Sequence, residues 1–356
     1  MVADLLREPG MQSTHQTKIQ TELRSPSHAP LKRRWGVILA GGDGTRLRDL
    51  TRLVAGDARP KQFCRLFGDC TLVEQTRLRA ERSIPAGNIL FPVTAVHRAF
   101  YQREPGIRPS QRIVQPANKG TAPPIVHSLL SIQRQDNDAI VAVLPCDHHY
   151  SDEPAFTAAL ESAFETAARC RDSVVLLGSP ARAPQTEYGW IELGPPFKAA
   201  PDFKEANAAN FFEVRGFCEK PSADLALLLF QQGALWNTFV MIGHVRAFLG
   251  MVAAARTGLL KAFASEYLWD SSEVQIPGWL YERIYASDFS RDVLSHQAGS
   301  LIVSRMDDVE WSDLGHPERV IDVLQAAGLT PWWAREWHAS KRPPASALPR
   351  TESAVA

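Results

Sequence analysis

The sequence predicts a doubly wound α/β fold with a mostly parallel, Rossmann-like sheet, and three observations lead to it. Short apolar runs alternate with helical stretches from residue 35 to 177. One run, 139–144, is apolar almost throughout, as expected for a central parallel strand covered on both faces. After Pro180 the alternation gives way to shorter strands among loops, which reads as an inserted lid or ligand-binding section.

Taken in order, Trp35-Gly36-Val37-Ile38-Leu39 is a short buried strand. A helix follows over 72–82, then a strand over 89–96 interrupted by Pro92. Ile113-Val114 ends a third strand, and a helix covers 123–133. The strand 139–144, a helix over 154–168 and a strand over 174–177 complete this half. Beyond it, strands are expected over 188–193, 212–217 and 239–242, with helices over 223–231 and about 244–255. A last strand, 301–304, leads through Trp311-Ser312-Asp313 to a helix over 317–327. Residues 1–32 are polar with little periodicity and read as a disordered leader. The domain then runs over 33–330, divided near 180, and 331–356 is a tail in which Pro343, Pro344 and Pro349 break any helix. Within that tail, Trp332, Trp333 and Trp337 read as a helix docking on the core, with an interaction patch as the alternative.

The 356 residues carry 39 Lys and Arg against 39 Asp and Glu, a balance that disfavours a nucleic-acid partner. Hydrophobic residues make up 45%, enough for a substantial core. Cys64, Cys70, Cys146, Cys170 and Cys218 form no Cys-x-x-Cys pair, so reduced thiols are expected rather than disulfides or zinc. No apolar run approaches the ~20 residues that span a bilayer, and no signal-peptide core is visible. A cytoplasmic protein without a membrane partner is the expectation, with a homo-oligomer left open.

The chemistry concentrates at Gly41-Gly42-Asp43-Gly44-Thr45-Arg46, directly after the first strand. Glycines there bring bare backbone N–H groups close to an anion. With Arg46 next and Pro60-Lys61-Gln62 downstream, the segment suits a polyphosphate. A Walker loop is excluded by spacing. A dinucleotide fingerprint lacks its third small residue, since Leu47 stands there, and its acidic residue, since Val96-His97 stands at the second strand's end. A plain structural turn is the remaining alternative.

The ordered motifs resemble sugar-nucleotide pyrophosphorylases, nearest to their mannose-1-phosphate guanylyltransferase branch. The resemblance rests on the glycine turn with Pro60-Lys61-Gln62, on Pro116-Ala117-Asn118-Lys119-Gly120-Thr121-Ala122-Pro123 and on Leu144-Pro145-Cys146-Asp147-His148. It continues through Thr186-Glu187-Tyr188-Gly189-Trp190-Ile191, Phe217-Cys218-Glu219-Lys220-Pro221, Trp236-Asn237 and Trp311-Ser312-Asp313-Leu314-Gly315. The sequence departs from the family at Asp43, commonly Ser or Met, at Cys146, commonly Ala, and at Thr238-Phe239, commonly Ser-Gly.

The resemblance implies transfer of GMP from GTP to mannose 1-phosphate, with pyrophosphate released. It assigns catalysis to Arg46, Lys61, Asp147 and Asp313, the two aspartates holding Mg²⁺. Nucleotide contacts fall to Leu39, Ala40, Gly41, Gly42, Gly44, Thr45, Arg46, Lys61, Asn118, Gly120 and Thr121. Sugar-phosphate contacts fall to Tyr188, Gly189, Glu219, Lys220 and Asn237, which makes the inserted section the sugar-binding half. Thr121 has a second reading as a helix cap before Pro123. Of Asp147-His148-His149, only the aspartate is expected to meet a metal. Two alternatives stand beside this: the same chemistry with UTP or dTTP and glucose 1-phosphate, and a non-catalytic nucleotide-sugar sensor.

Overall fold

A computed structural model of the chain describes residues 30–198, 210–264 and 274–340. The leader expected over 1–32 and the tail expected over 331–356 fall within these residues only at 30–32 and 331–340.

Four strands run parallel in the order β3-β2-β1-β4: β1 (Arg34–Leu39), β2 (Ile89–Thr94), β3 (Arg112–Gln115) and β4 (Ile140–Pro145). Both faces of this part are covered, as the apolar run of β4 requires. Val73 and Ala80 of the helix Leu72–Ala80, with Phe156 and Leu160 of Glu153–Arg169, pack with Ile38, Phe91 and Leu144. Ile125 and Leu129 of Ala122–Gln135, with Phe248 and Val252 of Val245–Ala264, pack with Val37, Leu90 and Val143. Caps fix the helix starts: Thr71 accepts from Glu74 N, Asp152 from Ala155 N and Ser222 from Leu225 N.

The rest of the sheet corrects the expectation of a mostly parallel sheet carrying a grafted section. In chain order it adds β6 (Val174–Pro180), β7 (Gly189–Pro196), β8 (Phe211–Glu219), β9 (Leu235–His244), β10 (Val274–Gln275) and β11 (Leu301–Arg305), while β5 (His149–Tyr150) and β12 (Trp311–Ser312) pair as a separate two-stranded sheet. β9 lies antiparallel to β4 on one side and β6 on the other, and pairs β7 as well. The pairings β9–β6–β11–β8–β7–β9 therefore close a ring of five strands, with only β6 and β11 parallel. β9 is a shared wall of the parallel part and the ring, so the second half continues the sheet instead of covering it.

β9 is longer than the strand expected over 239–242 because a bulge interrupts its pattern. Leu176 pairs Met241, yet Gly178 pairs Asn237, so three residues of β9 oppose one of β6. Thr238 Oγ1 fills the gap, donating to Leu177 O (2.6 Å) and accepting from Val240 N (3.3 Å).

The helix Val245–Ala264 is, by length and composition, apolar enough to cross a bilayer, which corrects the expectation that no run approaches that length. It is a core helix here. Val245, Phe248, Leu249, Val252, Leu260 and Phe263 are buried, and Arg256 leaves helical geometry inside it (φ −140°, ψ 50°). The tryptophan-rich segment forms the helix Trp332–Ser340, whose Trp333 and Trp337 pack with Leu47, Leu50, Val320 and Leu324. Each such buried aromatic contributes about 1.5–3 kcal/mol. All five cysteines are free thiols, and burial pushes Cys64 up to about 12.

Candidate functional site

Strand pairing explains why residues distant in sequence meet. Leu39 pairs Pro145, so the glycine turn after β1 and Asp147 after β4 leave the same carboxyl edge, where open α/β sheets hold ligands. The two-stranded pairing of β12 with β5 sets Ser312 against His149 and brings Asp313 beside Asp147 and His148. β9 runs antiparallel to β4, which carries Asn237 and Phe239 to that edge. Gly189 of β7 pairs Glu219 of β8, joining Tyr188 and Gly189 to Glu219 and Lys220.

These segments enclose a cleft of about 420 Å³. Of the residues expected to bind, Leu39, Gly41, Gly42, Arg46, Asn118, Gly120, Thr121, Asp147, Tyr188, Gly189, Glu219, Lys220, Asn237 and Asp313 line it. Gly44, Thr45 and Lys61 line an adjoining recess of about 390 Å³, which Arg46, Asn118, Asp147 and Asp313 also face. Ala40 lines neither. It is fully buried, and its backbone N–H donates to Pro92 O (2.9 Å), so it anchors the turn.

The turn and the Pro-Lys-Gln segment are one packed unit. Gly44 has φ 58°, and a Cβ there would lie 3.0 Å from Lys61 N, so only glycine fits without displacement. Gln62 Nε2 donates to Ala40 O (3.2 Å) and Gly42 O (2.7 Å), and Thr94 Oγ1 to Gly41 O (2.8 Å). These bonds hold the carbonyls of the turn in place beside the cleft that Gly41 and Gly42 line. Asp43 accepts from Asn118 Nδ2 (3.0 Å) and has His97 Nε2 3.6 Å away, so its carboxylate ties the turn to the 116–123 loop.

Lys61, only 8% exposed, is held by Asp313 O (2.5 Å) and Leu314 O (3.1 Å) and lies 3.3 Å from Asp147 Oδ2. Asp313 Oδ1 accepts from Tyr188 Oη (3.2 Å), Gly315 N (2.9 Å) and Arg319 Nη1 (2.7 Å). Burial works against its charge, but His148 when protonated, Arg319 and Lys61 outweigh that and hold the carboxyl below its usual range. His148 is pushed down to about 4 by burial, and its Nδ1 accepts from Trp311 Nε1 (3.1 Å). His149 turns to the Phe67 ring. Asp147 and His148 both line the cleft.

One hub escaped sequence reasoning. Glu187 Oε1 takes Arg46 Nη1 (3.1 Å) and His316 Nε2 (2.9 Å), and its Oε2 takes Arg319 Nη2 (2.7 Å). Arg319 in turn stacks over Tyr188 at 4.5 Å. Arg46 is thus paired with a carboxylate across the cleft. Glu187 stands inside a quoted motif, but nothing in its spacing points to Arg319, which comes from the last helix of the domain.

The 116–123 loop is held by the segment after Val274–Gln275, another contribution without a sequence signal. Lys119 Nζ donates to Tyr281 O and Ile284 O, and Ser287 N to Lys119 O (2.9 Å). Asn118 Oδ1 accepts from Gly120 N (3.0 Å). Thr121 stands at the N-cap of Ala122–Gln135, as its second reading expects, but makes no side-chain cap bond; its hydroxyl donates to Asp288 Oδ2 (3.1 Å) and accepts from Phe289 N (2.8 Å). On the opposite wall, Glu219 is raised by burial and by Asp288, with Lys220 Nζ 3.5 Å away. Asn237 Oδ1 accepts from Phe239 N (3.0 Å), and its amide reaches Ser290 Oγ (3.5 Å).

Comparison with known proteins agrees with this architecture. The chain is 27% identical over 301 residues to the xanthan biosynthesis protein XanB of Xanthomonas campestris, covering 82% of this chain and 60% of that protein. It is 28% identical over 286 residues to an Escherichia coli mannose-1-phosphate guanylyltransferase, covering 78% and 57%. The chain therefore spans somewhat under two thirds of these relatives. A Thermus thermophilus crystal structure described as a mannose-1-phosphate geranyltransferase superposes with TM-score 0.67 at 27% identity, over 81% of this chain and 79% of that one. Residues 35–328 match the nucleotidyl transferase family, a span that holds every residue of the cleft, and the chain belongs to that family.

Proposed function

We propose that the chain transfers GMP from GTP to mannose 1-phosphate, giving GDP-mannose and pyrophosphate. One observation carries this reading: the glycine turn, Arg46, Asp147 and Asp313 share a single cleft with Tyr188, Gly189, Glu219, Lys220 and Asn237. A cation-lined phosphate cradle thus faces a polar wall suited to a hexose. The relatives described as mannose-1-phosphate guanylyltransferases support the choice of GTP and mannose. In this reading residues 33–180 bind the nucleotide and 181–330 the sugar phosphate.

The reaction forms a bond from the sugar-phosphate oxygen to the α-phosphorus and breaks the bridge to the β-phosphate. Both reactants are anions, so positioning and charge neutralisation do most of the work. The turn amides hold the triphosphate, and Arg46 exchanges Glu187 for the leaving pyrophosphate. Lys61, already fixed by two carbonyls, meets the α-phosphate as charge develops there. Lys220 holds the sugar phosphate and Glu219 accepts from hydroxyls. Gly120 and Thr121 contact the base.

Asp147 and Asp313 fit Mg²⁺ by donor chemistry, being hard oxygen ligands on one cleft, with Asp313 Oδ2 the oxygen to offer. Among the described residues no group of three or more His, Cys, Asp or Glu is placed to hold a metal; the two carboxylates, with substrate phosphate and water oxygens, would suit Mg²⁺. When bound, the ion supplies Lewis-acid polarisation and charge neutralisation.

The purified protein given GTP, mannose 1-phosphate and Mg²⁺ should release pyrophosphate. No release with any pairing of four NTPs and several sugar 1-phosphates would sink the proposal; release only with UTP or dTTP and glucose 1-phosphate would move it to that pair. Asp147→Asn should lower turnover by roughly 10²–10³-fold with an unchanged circular dichroism spectrum.

A further inference from the structure

Among the described residues, the non-glycine positions with positive φ are Lys220 (50°), Phe239 (62°) and Leu314 (50°). All three belong to the site. Lys220 and Phe239 line the cleft, and Leu314 O holds Lys61 Nζ. Left-handed backbone is unfavourable for a residue with a Cβ, and for a bulky aromatic it is rare. Such geometry persists only where its surroundings over-determine it, and it clusters where a side chain must be aimed.

Three contacts over-determine it at Phe239. The bulge between β6 and β9 removes the residue from the ladder, and the Thr238 hydroxyl locks the bulge to Leu177 O and Val240 N. The freed Phe239 N–H is taken by Asn237 Oδ1. Bulges beside ligand sites commonly serve to re-aim one side chain. Here the re-aimed group is a half-buried ring that packs on the core and borders the cleft beside Asn237 and Ser290. A residue placed merely to fill the core would not need this conformation.

We propose that Phe239 is a specificity-determining residue: its ring walls the sugar subsite, lies against the apolar C–H face of the hexose and limits the bulk accepted there. This rests on the transferase reading above. An aromatic face offers dispersion and weak polar attraction to such a surface, and its volume is removed from what a bulkier sugar could occupy.

The test uses Phe239→Gly, which is free to adopt φ 62°, and Phe239→Asn, which tolerates left-handed backbone while keeping a side chain. In both, KM for mannose 1-phosphate should rise roughly tenfold while KM for GTP stays within about twofold. The preference for the hexose 1-phosphate over an N-acetylhexosamine 1-phosphate should fall by about tenfold or more in Phe239→Gly. Calorimetry with GDP and GDP-mannose reads the same contact without turnover: GDP-mannose should weaken roughly tenfold and GDP should not. Unchanged sugar selectivity and unchanged GDP-mannose binding would overturn the role of Phe239 and leave the transferase intact. A rise confined to the GTP KM would place the ring against the base and overturn it equally. A parent protein that binds GDP-mannose without turning over any pair defeats the transferase reading, while the binding arm still decides the ring. Binding of neither nucleotide overturns both.

Discussion

Glu187→Gln should tighten the binding of the nucleotide. Arg46, the cation assigned to the leaving pyrophosphate, sits 3.1 Å from Glu187 Oε1, and must leave it to reach a phosphate. The two side chains are 53% and 38% exposed, so solvent screens the pair to about 0.3–1 kcal/mol. The hydrogen bond from His316, with Arg319 and Arg46 nearby, holds the Glu187 carboxyl below its usual range against a smaller effect of burial, so it is charged at neutral pH. Removing the charge should therefore lower KM for GTP about 2- to 5-fold at low salt. Glutamine keeps an acceptor, and Arg319 keeps its bond to Asp313, so kcat should change less than KM. Steady-state pyrophosphate release measured at low and at high salt reads the effect, which should fade as the Debye length shortens. A KM for GTP that stays level or rises would show that Glu187 does not compete for Arg46.

Two further outcomes follow from packing and charge. Gly120→Ala combines φ 86° with a Cβ that would overlap Ser287 O, a backbone atom that already accepts from Ala122 N. It should cost about 2–4 kcal/mol in urea unfolding and weaken nucleotide binding; a loss below about 1 kcal/mol would refute the close approach. At Asp292 burial opposes ionisation, but Arg291, Arg256, Ser287 and the Asp288 N–H outweigh it and place the folded pKa below the ordinary 3.8. A depressed carboxyl pKa contributes stability that is present above the unfolded value and is lost as pH falls through the folded one. Asp292→Asn should accordingly reduce stability at neutral pH and flatten its decline below about pH 4. An acid limb unchanged from the parent would contradict the assignment.

Much of the fold was legible because local chemistry sets it. The helix 223–231 matches Ala223–Gln231 residue for residue, since Ser222 caps it and Gly233, at φ 74°, follows its end. The strand 139–144 differs from Ile140–Pro145 by one residue at each end. The helices Gly278–Arg283 and Phe289–Asp292 went unread because each is too short to show a period. β9 was half read because its bulge breaks the alternation at Thr238 and Phe239.

What the sequence determined by itself was the parallel half of the sheet, the turn with its two cations and the order of the site motifs. These are written in periodicity, in glycine placement and in residue type, all of which act within a few neighbours along the chain. The tertiary structure alone decided that β9 is common to the parallel part and the ring, and that β12 against β5 delivers Asp313 to Asp147. It also decided that Glu187 gathers Arg46, His316 and Arg319, and that Phe239 borders the cleft. Strand direction, long-range pairing and salt-bridge partners depend on which surfaces meet. That is a property of the packed chain, for which no single segment carries the signal.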